Sequence, residues 1–343
     1  MDPRLRGDDD EEWSRREEAC SVKIRSLFLV AIAIAVGAVL FVLGSWYGPG
    51  PNDEPLRVQI DRGSSVYSAA DTLEAAGAIR SAALFRLDAK LFGGTAPIRF
   101  GEYEIPRRAS AASILSILQS GAAIQYLLTV PEGMPSILVY ERLKAEETLT
   151  GDIAVPREGS VLPDTYAFER GESRQAVLDR MQAAMDKTLA ELWAARKPTT
   201  VVKTPEEAIT LASVVEKETG KPSERRMVAG VYSNRLRIGM KLDADPTVIY
   251  PVTKGKPLGR RILRSELRAD NGYNTYARAG LPKGPIANPG RESIAAVLDP
   301  AATPALYFVA DGTGGHVFAN TLSEHNDNVV KWRAIRRARG EIR

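Results

Sequence analysis

The chain has 343 residues, 44% of them hydrophobic, and 46 Lys and Arg against 43 Asp and Glu, for a formal net charge of +3. That length accommodates about two domains, and the near balance of charge, with no dense basic stripe interleaved with aromatics, argues against nucleic acid as a partner. One cysteine, Cys20, leaves no internal disulfide, and two histidines, His316 and His325, are too few and too badly spaced for a zinc site, so no metal is expected.

Residues 1–25 are polar and carry an acidic run at 8–12, of a kind usually solvated and disordered. Residues 27–47 follow without a charge, long enough to cross a bilayer as one helix. A signal peptide would have a shorter apolar core and a small-x-small cleavage site. Here the stretch runs into Trp46 and Tyr47, read as an interfacial aromatic pair, and then Gly48-Pro49-Gly50-Pro51. The reading is an uncleaved anchor over 26–48 and a short stalk over 49–54. Lys23 and Arg25, with Arg15 and Arg16 behind them, precede the anchor, and no Lys or Arg follows until Arg57. The positive-inside rule therefore puts the N-terminal tail in the cytoplasm and the rest outside.

Residues 55–131 read as a small α+β module. Strands are expected at 56–60, 100–105 and 124–130, and helices at 65–77, 81–92 and 109–120, the first capped by Ser64 or Ser65 and the last ended by Gly121. Nothing in it has catalytic spacing. Composition leaves both a folded spacer and a glycan-binding module open.

Residues 132–343 read as a larger mixed α+β domain. Helices are expected at 132–150, 174–196, 205–220, 224–237, 293–298 and 323–343, the last of them basic, and EGSVLPDTY (158–166) is a loop into a strand. The long stretch to Gly290 holds LDADPTVIY (242–250), YNTY (273–276) and GLPKGPIANPG (280–290). It is polar, aromatic and rich in Gly and Pro, with little periodicity, which marks a functional loop region. A hairpin is expected from 306–310 and 316–319 around DGTGG.

The helix at 205–220 carries the sharpest chemical signal. Thr204 is placed to cap it, Pro205 occupies the first turn, and Glu207 lies three residues after the cap. At 100° per residue, Leu211, Val214, Val215 and Glu218 share one stripe, while Glu216 falls on the far side near Lys217. A carboxyl group on an apolar face loses solvation of its charged form, so its pKa rises. Glu218 is thus expected to hold a proton near neutral pH, as a general acid must. Glu216 is expected to join a solvent-side pair. Asn234, Tyr273, Asn274 and Tyr276 can supply hydrogen bonds and stacking surfaces for sugars. Asp245 is a second carboxyl by type, or else a turn residue before Pro246.

At VVEKETG, NRLRIGMKLDADPTVIY, YNTY and GLPKGPIANPG the sequence resembles the endolytic murein transglycosylase family, also called YceG-like. The motifs keep their order from the apolar segment to GGHVFANTLSEHN (314–326). The resemblance implies a single-pass inner-membrane protein with a LysM-like module beside the membrane, then a periplasmic catalytic domain. It implies cleavage inside peptidoglycan glycan strands to leave 1,6-anhydro-N-acetylmuramic acid ends, without a cofactor. It also implies work beside the cell-wall synthases, limiting nascent strand length. The family's catalytic glutamate, the second of its EKE motif, lands on Glu218. Many members carry Gln followed by Ser or Thr before DPT, where this chain has Asp243 and Ala244. Two other classes stay open: a glycosidase that uses water, and a non-catalytic peptidoglycan-binding scaffold. The intact EKE favours an enzyme.

Overall fold

The computed structural model describes residues 7–342; residues 1–6 of the expected tail and Arg343 lie outside it. The chain is α+β and divides into two compact units between Ile124 and Gln125.

In the first unit, α1 (Gly7–Tyr47) runs as one helix, so the acidic run expected to be disordered falls in its first turns. Its segment Arg25–Tyr47 is long and apolar enough to cross a membrane, and is the single such candidate among the described residues. β1 (Leu56–Ile60), α2 (Val66–Ala75), α3 (Ala82–Phe92), β2 (Gly101–Ile105) and α4 (Ala111–Ser120) follow. β1 and β2 pair antiparallel, with Val58 opposite Tyr103. The helices start where a serine oxygen accepts a first-turn N–H: Ser65 for α2, Ser81 for α3 and Ser110 for α4. Gly121 ends α4 in the left-handed region, at φ 72°. Val58, Ile60, Leu73, Phe85, Tyr103, Ile105 and Ile114 make the core.

Trp46 belongs to that core, 3% exposed, whereas Tyr47 is 63% exposed. The expected interfacial pair is therefore split. The indole packs on Phe85 and Phe92, at centroid distances of 6.2 and 6.1 Å, because burying the ring in a ready apolar core removes more area from water than leaving it at the helix surface. The Gly-Pro segment is fastened to the same unit: Gly50 N donates to Arg108 O, and Asn52 Nδ2 to Pro106 O.

In the second unit, β3 (Gln125–Thr129) pairs antiparallel with β4 (Thr165–Glu169). The strand expected to close the small module is thus part of the second unit, because its hydrogen-bonding partner lies forty residues on rather than behind it. α5 (Ser136–Ala145) and α6 (Arg174–Ala194) pack with this ribbon around Leu128, Leu143, Phe168 and Met181.

α7 (Pro205–Glu218) is the central helix of the larger core. Thr204 Oγ1 accepts from Glu207 N, and Pro205 sits in the first turn, as the sequence predicts. α8 (Arg225–Arg237) and α11 (Arg291–Leu298) pack against α7. Between them lie α9 (Asp245–Thr253) and the short α10 (Arg264–Arg268). The stretch expected as continuous loop therefore contains helix: Pro246 sits in the first turn of α9, where its missing N–H costs nothing. β5 (Tyr307–Ala310) and β6 (His316–Ala319) form the expected hairpin, and α12 (Leu322–Ala338) closes the chain on a Thr321–Glu324 capping box.

Candidate active site

Residues 208–215 of α7 are buried on every side. Ser213, in the middle, donates to Thr210 O and accepts from Ile286 N at 3.0 Å, tying α7 to the GLPKGPIANPG loop. Asn288 in that loop reaches further. Its Nδ2 donates to Met134 O and its Oδ1 accepts from Val161 N, at 2.9 and 3.0 Å. One buried amide thus joins the segments around Met134, Val161 and Asn288 beside α7.

Glu218 is the last residue of α7. Its Oε1 is buried and has no hydrogen-bond partner among the described residues. Burial pushes the carboxyl up to about 7, and the negative charge of Asp245 pushes the same way. The Tyr232 hydroxyl and the Arg235 guanidinium pull it down, by less. The site therefore holds a carboxyl group that carries a proton part of the time at neutral pH.

The surrounding groups are fixed by their own contacts. Tyr232 and Arg235 project from α8. Tyr232 is fully buried, which pushes its phenol well above the ordinary value and keeps it a donor. Arg235 donates from Nε to Leu306 O at 2.6 Å and from an Nη to Leu242 O at 2.7 Å, holding the segment that leads into α9. Asp245 lies in the first turn of α9 and accepts from the Tyr276 hydroxyl at 2.7 Å. Asp243, the departure from the family pattern, has φ 50°, a left-handed conformation that Asp tolerates better than most residues, and its carboxylate lies 3.8 Å from Arg235.

The structure gathers Glu218, Asp245 and Tyr276 at one place. Tyr273 sits at the other end of the YNTY segment, its ring 4.9 Å from that of Tyr250. Asn274 is 3% exposed. Its Nδ2 faces the carbonyls of Glu266, Leu267 and Ala269, and its Oδ1 accepts from Tyr276 N. It shapes the segment that presents Tyr276. Asn234 is not brought to Glu218: its amide bridges Thr303 O and Ala305 O, at 2.7 and 3.0 Å.

Glu216 departs from expectation. Its side chain is 5% exposed, its Oε2 accepts from Gly290 N at 2.9 Å, and its Oε1 lies 3.4 Å from Arg225, which also pairs with Glu132. No solvent-side pair with Lys217 forms; the Lys217 ammonium reaches Gly133 O instead. The physical reason is that α7 has protein on both flanks, so the side opposite Glu218 is interior too.

The sequence alone singles out neither Tyr232 nor Arg235. Both lie in NRLR and the turn before it, on a helix whose burial pattern marks them as inward-facing only once α7 is known to pack there. The sequence marks Glu158 only as part of a loop. It is a partly buried carboxyl whose Oε1 accepts from Ser136 N at 2.8 Å, and burial raises its pKa.

A protonable buried carboxyl facing a fixed carboxylate and a phenol is a site equipped for general acid–base chemistry. The chain belongs to the YceG-like family, whose model matches residues 58–331. It is 30% identical over 309 residues to the endolytic murein transglycosylase of Bacillus subtilis (strain 168), across 81% of this chain and 84% of that one. It is 29% identical over 323 residues to the endolytic murein transglycosylase of Streptococcus pneumoniae (strain D39), across 80% of this chain and 58% of that one. Among solved structures, the crystal structure of a yceG-like protein from Listeria monocytogenes is similar at a TM-score of 0.50 and 28% identity, across 80% of this chain and 98% of that one.

Proposed function

We propose that the protein is an endolytic murein transglycosylase that cuts peptidoglycan glycan strands internally, with Glu218 as its acid and base. The observation that carries this reading is the buried, unpartnered Oε1 of Glu218 on a carboxyl pushed up to about 7.

Protonated Glu218 gives its proton to the glycosidic oxygen on the leaving side of N-acetylmuramic acid, and the C1–O bond breaks. The resulting carboxylate takes the proton of that sugar's own C6 hydroxyl. The C6 oxygen closes on C1, leaving a 1,6-anhydro end and regenerating the acid. The nucleophile is internal, so effective molarity does the work that a positioned water does in a hydrolase. Asp245, held by Tyr276, opposes the positive charge that develops at C1.

Arg25–Tyr47 and the Lys/Arg bias before it support a single-pass inner-membrane anchor with a cytoplasmic N-terminus and a periplasmic remainder. The β1-α2-α3-β2 order of the first unit supports a LysM-like, glycan-holding role for that unit beside the membrane, ahead of a catalytic domain formed by the second unit. Strand cutting at that place limits nascent strand length and puts the protein beside the cell-wall synthases.

The deciding experiment is product mass. Detergent-solubilised full-length protein is given purified glycan strands, and the fragments are weighed. Anhydro ends, one water lighter than reducing ends, are expected. Reducing ends would make it a hydrolase, and uncut strands a scaffold.

A further inference from the structure

A second concavity lies in the larger unit, a pocket of about 510 Å³ not lined by Glu218. Met185, Leu189 and Ile209 give it an apolar floor. Tyr250 and Tyr273 make an aromatic wall, with the Lys283 ammonium 4.7 Å from the centre of the Tyr273 ring. Charges of both signs stand around it: Arg157 and Lys283 on one hand, Asp186 and Glu206 on the other. Among the described residues, Arg157, Lys283 and Asp186 make no ion pair, although opposite charges line the same pocket. The charge of Arg157 reaches Glu206, while Lys283 and Asp186 line the same space, where a ligand of both charges could meet them.

The pocket is coupled to the acid site by two elements. α9 begins with Asp245, whose charge acts on Glu218, and presents Tyr250 to the pocket five residues on, about 7.5 Å along the helix axis. The YNTY segment repeats the connection, with Tyr276 bonded to Asp245 and Tyr273 in the pocket wall. The acid site and the pocket wall are thus carried on the same two elements.

A plain glycan carries no ammonium group and needs no such arrangement. We propose that this pocket binds the peptide branch of the strand, a short zwitterionic stem peptide, with Lys283 and Arg157 receiving its carboxylates and Asp186 its free ammonium. The inference rests on the transglycosylase reading above. The apolar floor takes the alanyl methyl groups. Glu158, bonded to Ser136 N, and Tyr250 close the back of the pocket.

The test has two arms. In the first, free stem tetrapeptide is titrated into full-length Glu218→Gln protein in detergent and followed by ligand-observed NMR. Saturable binding is expected, weakened about tenfold by adding Lys283→Ala and about tenfold by adding Asp186→Ala, the scale of one charged hydrogen bond each. Both residues are at the surface, and thermal melts check folding. In the second, kcat/KM of Lys283→Ala and Asp186→Ala is measured on peptide-bearing strands and on strands stripped by an amidase. The loss on peptide-bearing strands should exceed that on stripped strands by about tenfold. No saturable peptide binding overturns the proposal. So does an equal loss on both substrates, which would make the pocket a subsite for the sugars that both share. If the parent cuts neither substrate while the peptide still binds, the transglycosylase reading fails and the peptide site stands.

Discussion

The Tyr276 hydroxyl donates to Asp245 Oδ1 at 2.7 Å and so pins a negative charge beside Glu218. That bond favours the position in which Asp245 repels the ionised form of Glu218. Part of the proton affinity of Glu218 is thus set by a residue on another helix, and replacing either partner should be legible in a pH profile.

Glu218→Gln removes the proton without changing the side chain's shape. General acid catalysis contributes on the order of a hundred- to ten-thousandfold, and Glu218 serves as acid and base in turn. Loss of anhydro-ended fragments should reach the upper end of that range, while the melt stays cooperative. Near-parental turnover by a folded variant would remove Glu218 from the mechanism.

Asp245→Asn should move the pH dependence. With Glu218 up at about 7, the acid form is lost as pH rises through that value, and kcat/KM falls with it. Removing the Asp245 charge lowers the Glu218 pKa, so the alkaline fall should begin at lower pH. A profile between pH 5 and 9 reads this directly; an unmoved alkaline limb would deny the coupling.

The same carboxyl links pH to stability. Its folded pKa lies above the ordinary carboxyl value, so the folded state binds more protons between about 4.5 and 7 and stability falls as pH rises through that window. Glu218→Gln carries no such penalty. Above pH 7 it should be the more stable protein, by at most on the order of 3 kcal/mol, less what solvent screens at the open side of the group. Below pH 4 the two should converge. Denaturant melts at pH 4 and pH 8 make the comparison.

Glu216→Ala should act oppositely. It leaves Arg225 buried with only Glu132 and strips Gly290 N of its acceptor. A cost on the order of 3 kcal/mol is expected, and any activity loss should follow the fraction unfolded. A variant that melts like the parent yet loses turnover would give Glu216 a chemical role instead.

Glu216 also shows where the sequence stops being informative. The stripe of Leu211, Val214 and Val215 foretells the burial of Glu218 and its raised pKa, because a helical period is a local property, but not the polar company of Tyr232, Arg235 and Asp245. The opposite face of α7 looked solvent-bound only because an isolated helix has an outside. Residues 208–215 are buried all round, since α8 packs on one flank and α11 with the Gly290 segment on another, and no periodicity reveals neighbours eighty residues away. The same limit hid Tyr232 and Arg235. It also misplaced the strand at 125–129: alternation identifies a strand, but its partner at 165–169 comes from a tertiary pairing. The caps at Ser65 and Thr204 and the stop at Gly121 are legible for the converse reason, their chemistry being complete within four residues.

Trp46 has a mechanical consequence. With its indole inside the first unit's core, with Arg80 donating to Pro49 O and Gly50 N to Arg108 O, the apolar helix and the module lack a swivel between them. The joint is a clamped beam rather than a tether. A sideways pull on the module is transmitted as torque into the helix and tilts it, instead of being absorbed by a slack connector.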